Sequence, residues 1–289
     1  MYCALTVDLK DSRKYPTESR NELQGYLIET ADTLNRIFRP SLERELSFSG
    51  GDELQGLFTG PDAAFLCLRL LRRLLFPIPL HAGLGVGEWT TVVPDRNTFY
   101  QDGTVFHRAR AAIEQAKRET DYTAFMDAEN EKNAGLNAML NASFALTEQN
   151  TAYQNELGLL LECFYPISPK EGLYLGELSG ISALMRRRKG LVAFYGEKDR
   201  KRPTAVFDRV EQEPDFWIRN ANQTWSEGWR ENRTGQRECY PFAHPRGAAS
   251  TIADAAGLTR QAVDTALRAA NVYPERALAL ALLDTLAEL

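Results

Sequence analysis

Residues 47–58 read SFSGGDELQGLF. Two glycines, Gly50 and Gly51, precede two adjacent carboxylates, Asp52 and Glu53, and apolar residues flank both sides. That pattern predicts a β-hairpin with an acidic turn. Upstream, residues 4–13, ALTVDLKDSR, carry an apolar strand to a third carboxylate, Asp8. Acids at a strand end and at a hairpin tip can converge on one divalent cation. Mg²⁺ takes hard oxygen ligands, keeps several waters and is usually shared with substrate phosphates. The combination points to phosphoryl or nucleotidyl chemistry. Gly-Gly-Asp is also ordinary turn chemistry, and a plain acidic turn is the competing reading for this stretch taken alone.

Working outward, residues 2–7 read as a buried strand. Residues 17–38 repeat Leu23, Leu27, Leu34, Ile37 and Phe38 at helical spacing, with Thr17 as N-cap and Pro40 as stop. Beyond the hairpin, Pro61 suits the first position of a second helix. Residues 79–88, PLHAGLGVGE, alternate: Leu80, Ala82, Leu84 and Val86 face one way, His81, Gly83, Gly85 and Gly87 the other. A bare glycine face permits close approach of another backbone or of a ligand. A third helix over 103–117 and a short strand at DYTAFM follow. The order β-α-β-β-α-β, then helix and strand, is the split βαβ, ferredoxin-like pattern. Its first and third strands are neighbours at the sheet centre, which would bring Asp8 to the 50–53 turn.

Residues 126–165 read as helical, with Tyr153, Leu157, Leu160 and Leu161 on one face. Residues 166–245 hold two basic clusters, 186–189 and 198–202, and three tryptophans, Trp217, Trp225 and Trp229. Those clusters read as phosphate contacts, as a solvated face or as a loop. Near the C-terminus, STIADAAGLTRQAVDTALRAANV reads helix, Gly257 turn, helix, with Ile252, Ala253, Ala256, Leu258 and Val263 at the small or apolar positions of a helix-turn-helix. The expected fold class is thus α/β (α+β): a ferredoxin-like domain over 1–128, a helical segment with an insertion over 129–245, and a helix-turn-helix region over 246–289.

The chain has 289 residues and a formal net charge of −5, which excludes a general polyanion binder. LCLRLLRRLLF is interrupted by Arg69, Arg72 and Arg73, so no membrane span is expected. The four cysteines are scattered without a CxxC pair and the three histidines lie far apart. Zinc, a disulfide framework and a His-based metal site are not expected, and a reducing cytoplasm fits.

The motifs VDLKDSR, GGDELQGLF, HAGLGVGE, and DG followed by ARAAIEQAK resemble the SatD family of bacterial proteins. More distantly, the first domain resembles the palm shared by GGDEF diguanylate cyclases, class III nucleotide cyclases and the CRISPR polymerase palm. GGDEL differs from GGDEF by Leu54. The resemblance implies metal ligands at Asp8 and Asp52, and a ligand or catalytic base at Glu53. It puts the loop from Lys10 to Arg13 where class III cyclases wrap a triphosphate. Arg110 falls roughly at their transition-state arginine, with Phe106 and His107 where an asparagine is expected. Lys117 resembles a lysine that contacts phosphate in GGDEF domains.

These implications define the expected site. Asp8, Asp52, Glu53 and Arg110 are the catalytic candidates. Asp8, Leu9, Asp52 and Glu53 are the metal candidates, with Mg²⁺ or Mn²⁺ as cofactor. Leu9, Lys10, Ser12, Arg13, Gly50, Gly51 and Lys117 are the nucleotide-binding candidates, with amides of residues 9–13 as a phosphate cradle. Lys10, Arg13, Arg110 and Lys117 read equally as surface charges. The expected reaction is metal-dependent nucleotidyl transfer or cyclisation on an NTP in a homodimer. The alternative is an inactive nucleotide sensor regulating transcription, with Arg260 and Gln261 reading DNA. The dimer expectation leans on the apolar face formed by Leu278, Leu280, Leu282, Leu283 and Leu286.

Overall fold

The computed structural model describes residues 1–11, 14–50, 53–94, 97–129, 131–195, 206–210, 230–231, 237–238 and 243–289. The N-terminal half alternates β1 (Tyr2–Leu9), α1 (Thr17–Phe38), β2 (Leu42–Gly50), β3 (Glu53–Phe58), α2 (Pro61–Leu75), β4 (Leu80–Gly87), α3 (Thr104–Arg118) and β5 (Ala124–Asp127). The sheet order is β2-β3-β1-β4-β5. Its first four strands are antiparallel to their neighbours, and β5 joins β4 in parallel. This is the ferredoxin-like order expected, with β1 and β3 adjacent. Helix α1 starts at Thr17, but its N-cap position is Pro16 and no side chain caps it. Pro61 does open α2.

The two sheet faces differ in kind. Cys3, Leu5, Val7 and Leu9 of β1 enter the large core with α1 and α2. Ala4 and Leu57 of the opposite face meet Val105, Phe106 and Ala109 of α3. The glycine face of β4 explains how α3 gets there. A methyl group at Gly85 would collide with the Ala109 amide and the Val105 carbonyl, and one at Gly83 with the Ala109 carbonyl. These glycines seat a helix backbone directly on a strand backbone.

Strand β5 is a sheet edge, and edges left open invite pairing with other chains. Helix α4 (Asn133–Glu148) closes it with side chains at helical repeat. Asn137 bonds both the amide and the carbonyl of Met126, and Asn141 does the same for Ala124. Asn133 accepts from the Ala128 amide. The asparagines stand in for a sixth strand.

Helices α5 (Ala152–Phe164) and α6 (Ser179–Arg188) continue the chain. In α5, Leu157, Leu160 and Leu161 are buried as expected, whereas Tyr153 is exposed. Helices α7 (Ala248–Ala256) and α8 (Arg260–Ala269) are joined through Gly257, whose φ of 61° is left-handed. Thr259 caps α8 through the Ala262 amide. Helix α9 (Val272–Leu286) lies on α4. Leu280, Leu282, Leu283 and Leu286 of the expected dimer face are buried within the chain, and Leu278 is half-buried. Trp217, Trp225, Trp229 and the 198–202 cluster lie outside the described residues.

Candidate functional site

The register of β1 and β3 pairs Val7 with Leu54. One step further, Asp8 faces Glu53, on the sheet side that α3 covers. Residues directly opposite on one face have Cβ atoms about 4.5–5.5 Å apart, and like charges there repel. Two acids so placed need compensation, and α3 supplies it. Lys117 Nζ lies 2.9 Å from Asp8 Oδ2. Arg110 donates to Glu53 with both terminal nitrogens, Nη2 to Oε1 at 2.9 Å and Nη1 to Oε2 at 3.2 Å. The two cations are about two helical turns apart and so share one face of α3.

The electrostatics follow. Burial alone would lower the Lys117 pKa; the hydrogen bond and charge of Asp8 outweigh it and hold the ammonium above its ordinary value. His81 pairs with Asp8 across the β1–β4 ladder. Burial, then the Lys10 charge, depresses its pKa below the ordinary histidine value despite Asp8. His81 is therefore neutral at pH 7 and available as a hydrogen-bonding group.

Beside the pairs runs an open groove of about 470 Å³, whose lining includes Glu53, Gln55, Phe99, Phe106, His107 and Arg110. Gln55 donates to the Thr6 hydroxyl, 3.2 Å away, beneath it. Phe99 and Tyr100 meet edge to face at the rim and are 65% and 53% exposed. Exposed aromatic faces beside the groove suit a flat ligand better than an aliphatic one.

Asp8, Glu53, Arg110 and Lys117 are thus brought together as two ion pairs. Arg110 and Lys117 are ion-paired and remain in contact with water. Lys10 is exposed at the end of β1. Its amide donates to the Pro79 carbonyl at 2.9 Å, so that N–H extends the sheet and is not part of a phosphate cradle. The alternation of an antiparallel ladder then turns the Leu9 main-chain groups away from β4 and toward β3. Gly50 pairs with Glu53 at the end of the hairpin. Ser12, Arg13, Gly51 and Asp52 lie outside the described residues. Among the described residues no three His, Cys, Asp or Glu side chains are grouped to hold a metal. Asp8 and Glu53 offer the hard oxygen donors that Mg²⁺ takes, and each is ion-paired to a cation of α3.

The basic run 186–189 has another role than phosphate contact. Arg188 is fully buried, donating to the carbonyls of Leu74 and Phe76 and pairing with Glu156. Arg186 donates to the Phe207 and Val210 carbonyls, Arg187 pairs with Glu29, and Lys189 with Asp208. The run staples α6 to its surroundings. Arg260 and Gln261 are exposed on α8, which packs on α5, α7 and α9. Arg268, further along α8, is held by Asp264 at 2.8 Å.

Sequence reasoning missed Phe99, Gln55 and the Thr6 hydroxyl beneath it. Gln55 lies two residues beyond Glu53 and so on the same strand face, which was a usable signal. Phe99 sits in a loop, and nothing in its pattern marks it as exposed.

A sequence model described as the SatD family matches residues 2–166, which take in the sheet, α4 and α5. No curated protein and no solved structure matches the chain. No helix among the described residues is long and apolar enough to cross a membrane.

Proposed function

The chain belongs to the SatD family, and from that premise we propose that the end of its sheet binds an NTP and transfers or cyclises the nucleotidyl group, releasing pyrophosphate. The observation that carries this reading is the pair of strand-end acids, Asp8 and Glu53, each tied to a cation of α3 beside an open groove. In this reading the ion pairs are a resting state. Asp8 and Glu53, with Asp52 and the Leu9 main chain, would hold Mg²⁺ or Mn²⁺, and Lys117 and Arg110 would then be released to the phosphate oxygens. The bound ion would lower the pKa of a ribose hydroxyl and brace the leaving pyrophosphate. What the chain's own groups supply is positioning and neutralisation of charge on the phosphates. Glu53 is the candidate base, and the aromatic rim at Phe99 is suited to stack the nucleobase.

The decisive experiment incubates the purified protein with each of the four NTPs, with Mg²⁺ or Mn²⁺, and identifies products by mass. Pyrophosphate release with a cyclic or linked nucleotide product is expected, and it is abolished in Asp8→Ala. Turnover unchanged in that variant refutes the mechanism. A homodimer belongs to the same proposal. With Leu280, Leu282, Leu283 and Leu286 of α9 buried, the groove rim at Phe99 and Tyr100 is the surface suited to a second copy. Light scattering that finds a monomer at high concentration, with and without NTP, removes this part.

A second reading is a nucleotide-sensing regulator acting through α7, Gly257 and α8 as a helix-turn-helix. Arg260 and Gln261, exposed at the start of α8, favour it. The pairing of Arg268 with Asp264 and the net charge of −5 point to weak DNA binding. A salt titration of duplex binding tests it, because phosphate contacts weaken steeply as salt rises.

A further inference from the structure

The run that broke the apolar stretch in the sequence, Arg69, Arg72 and Arg73, lines a second cavity, away from the groove. It holds about 120 Å³ between the end of α2, the turn at Pro77–Pro79, α4 and the start of α9. Its other lining groups include Thr123, Phe144, Thr147, Asn155 and Glu275. Arg69 pairs with Glu162 and Glu275, Arg73 with Glu275, and Arg276 with Glu162. Arg72 has a different environment. Its Nη1 donates to the Thr123 hydroxyl at 3.2 Å and its guanidinium lies 4.1 Å above the Phe144 ring. Among the described residues no carboxylate lies within ion-pair distance of it. Glu148, exposed at the rim, acts on it only through space.

The charges of this cluster do not balance. Four guanidinium groups, Arg69, Arg72, Arg73 and Arg276, face two buried carboxylates, Glu162 and Glu275, and the exposed Glu148 of the rim, which leaves one positive charge in excess. Arg73 is 5% exposed, and its Nη1 has no hydrogen-bond partner among the described residues. Burial also pulls Arg72 down to about 10, more than Glu148 and Glu275 hold it up. Uncompensated charge in a protein interior is costly, and the protein holds it where a counter-ion arrives from outside.

We propose that this cavity binds one phosphate group, held by Arg72 with Thr123 and Thr147 at its walls. A phosphate carries about −1.5 to −2 at neutral pH, which offsets the excess positive charge, and its oxygens suit the guanidinium fork. The cavity is smaller than the several hundred Å³ that drug-sized ligands occupy. It takes the phosphate alone, as the free ion or as the end of a monoester whose remainder passes between the exposed Pro77 and Pro79.

The test follows thermal unfolding of the full chain in inorganic phosphate and in glycerol 3-phosphate, against potassium chloride at matched ionic strength. Wild type should gain about 2–3 °C at roughly ten times Kd. Arg72→Gln should lose that gain. Glu148→Gln, an exposed change that removes a competing anion, should reach the same gain at several-fold lower phosphate. The double variant Arg110→Gln, Lys117→Gln should keep the gain, because the sheet-end groove is a separate site. A gain with glycerol 3-phosphate identifies the pocket as open to monoesters; a gain with inorganic phosphate alone identifies it as closed over the free ion. No gain in wild type overturns the proposal. So does a gain that persists in Arg72→Gln and vanishes in the groove double variant. Should Arg72→Gln fail to fold, Glu148→Gln decides, and an unchanged phosphate dependence there overturns it as well.

Discussion

Two clusters of opposite charges occupy this molecule, and they are built from the same residue types for different ends. At the end of the sheet, Asp8 and Glu53 meet Lys117 and Arg110 in a setting open to water; the Lys117 and Arg110 side chains are 31% and 56% exposed. Between α2, α5 and α9, Arg69, Arg73 and Arg276 meet Glu162 and Glu275 with side chains almost wholly covered. In the first, each acid has its own cation, and the pairs can open at little cost because water replaces the partner. In the second, Arg69 bridges two glutamates and Glu275 bridges two arginines, so no member can leave alone. Nearby charges hold the buried carboxyls far below the ordinary range: burial would raise the Glu162 pKa, but Arg276 and Arg69 overcome it. Exchangeable pairs suit a ligand site, and locked pairs suit a joint between helices.

The contrast is open to breakage in four ways. The largest effect belongs to Glu275→Gln, which strands the buried Arg73 and leaves Arg69 with Glu162 alone. It should cost about 3–5 kcal/mol in urea unfolding, and a loss under about 1 kcal/mol would mean that the cluster is not a joint. Next is Gly85→Val, which forces α3 off β4. It should cost about 1–3 kcal/mol or more by overpacking and should also weaken any nucleotide binding, since Arg110 and Lys117 ride on α3. A variant that is destabilised yet binds undiminished would separate the site from the helix seat. Third, Lys117→Met at the sheet end should change stability by less than about 1 kcal/mol, read from the same unfolding curves, while lowering affinity for nucleotide phosphates. A large stability loss there would make the outer pair structural too.

The smallest effect is in pH. The folded-state pKa of His81 is depressed, so its contribution is present above the unfolded value and is lost as pH falls through and below about 6.5. That of Lys117 is raised, so its contribution is complete below its ordinary value of 10.5 and is lost only as pH rises past that. His81→Gln should flatten the acid limb of the stability profile between about pH 5 and 7. An unaltered limb would remove His81 from the electrostatics of the site.

Much of this was legible from residue order alone. Alternation in β4, Pro61 at the head of α2 and the strand-end Asp8 are local signals, and each acts through the backbone of its own segment. They determined the βαββαβ order, and that order places β1 beside β3 and Asp8 across from Glu53. The asparagines of α4 were legible only as polar residues in a helix. Their use as a surrogate strand depends on where β5 lies, and no spacing within α4 encodes that. The burial of the α9 leucines and the partners of the basic run 186–189 were not legible for the same reason: amphipathic and basic runs announce a face, not its partner. Burial and ion pairing are relations between segments far apart in the chain, such as Arg69 with Glu275 or Asp8 with Lys117. Local pattern set the elements and the acids; only packing decided which charges are locked in the interior and which stand free to be exchanged for a ligand.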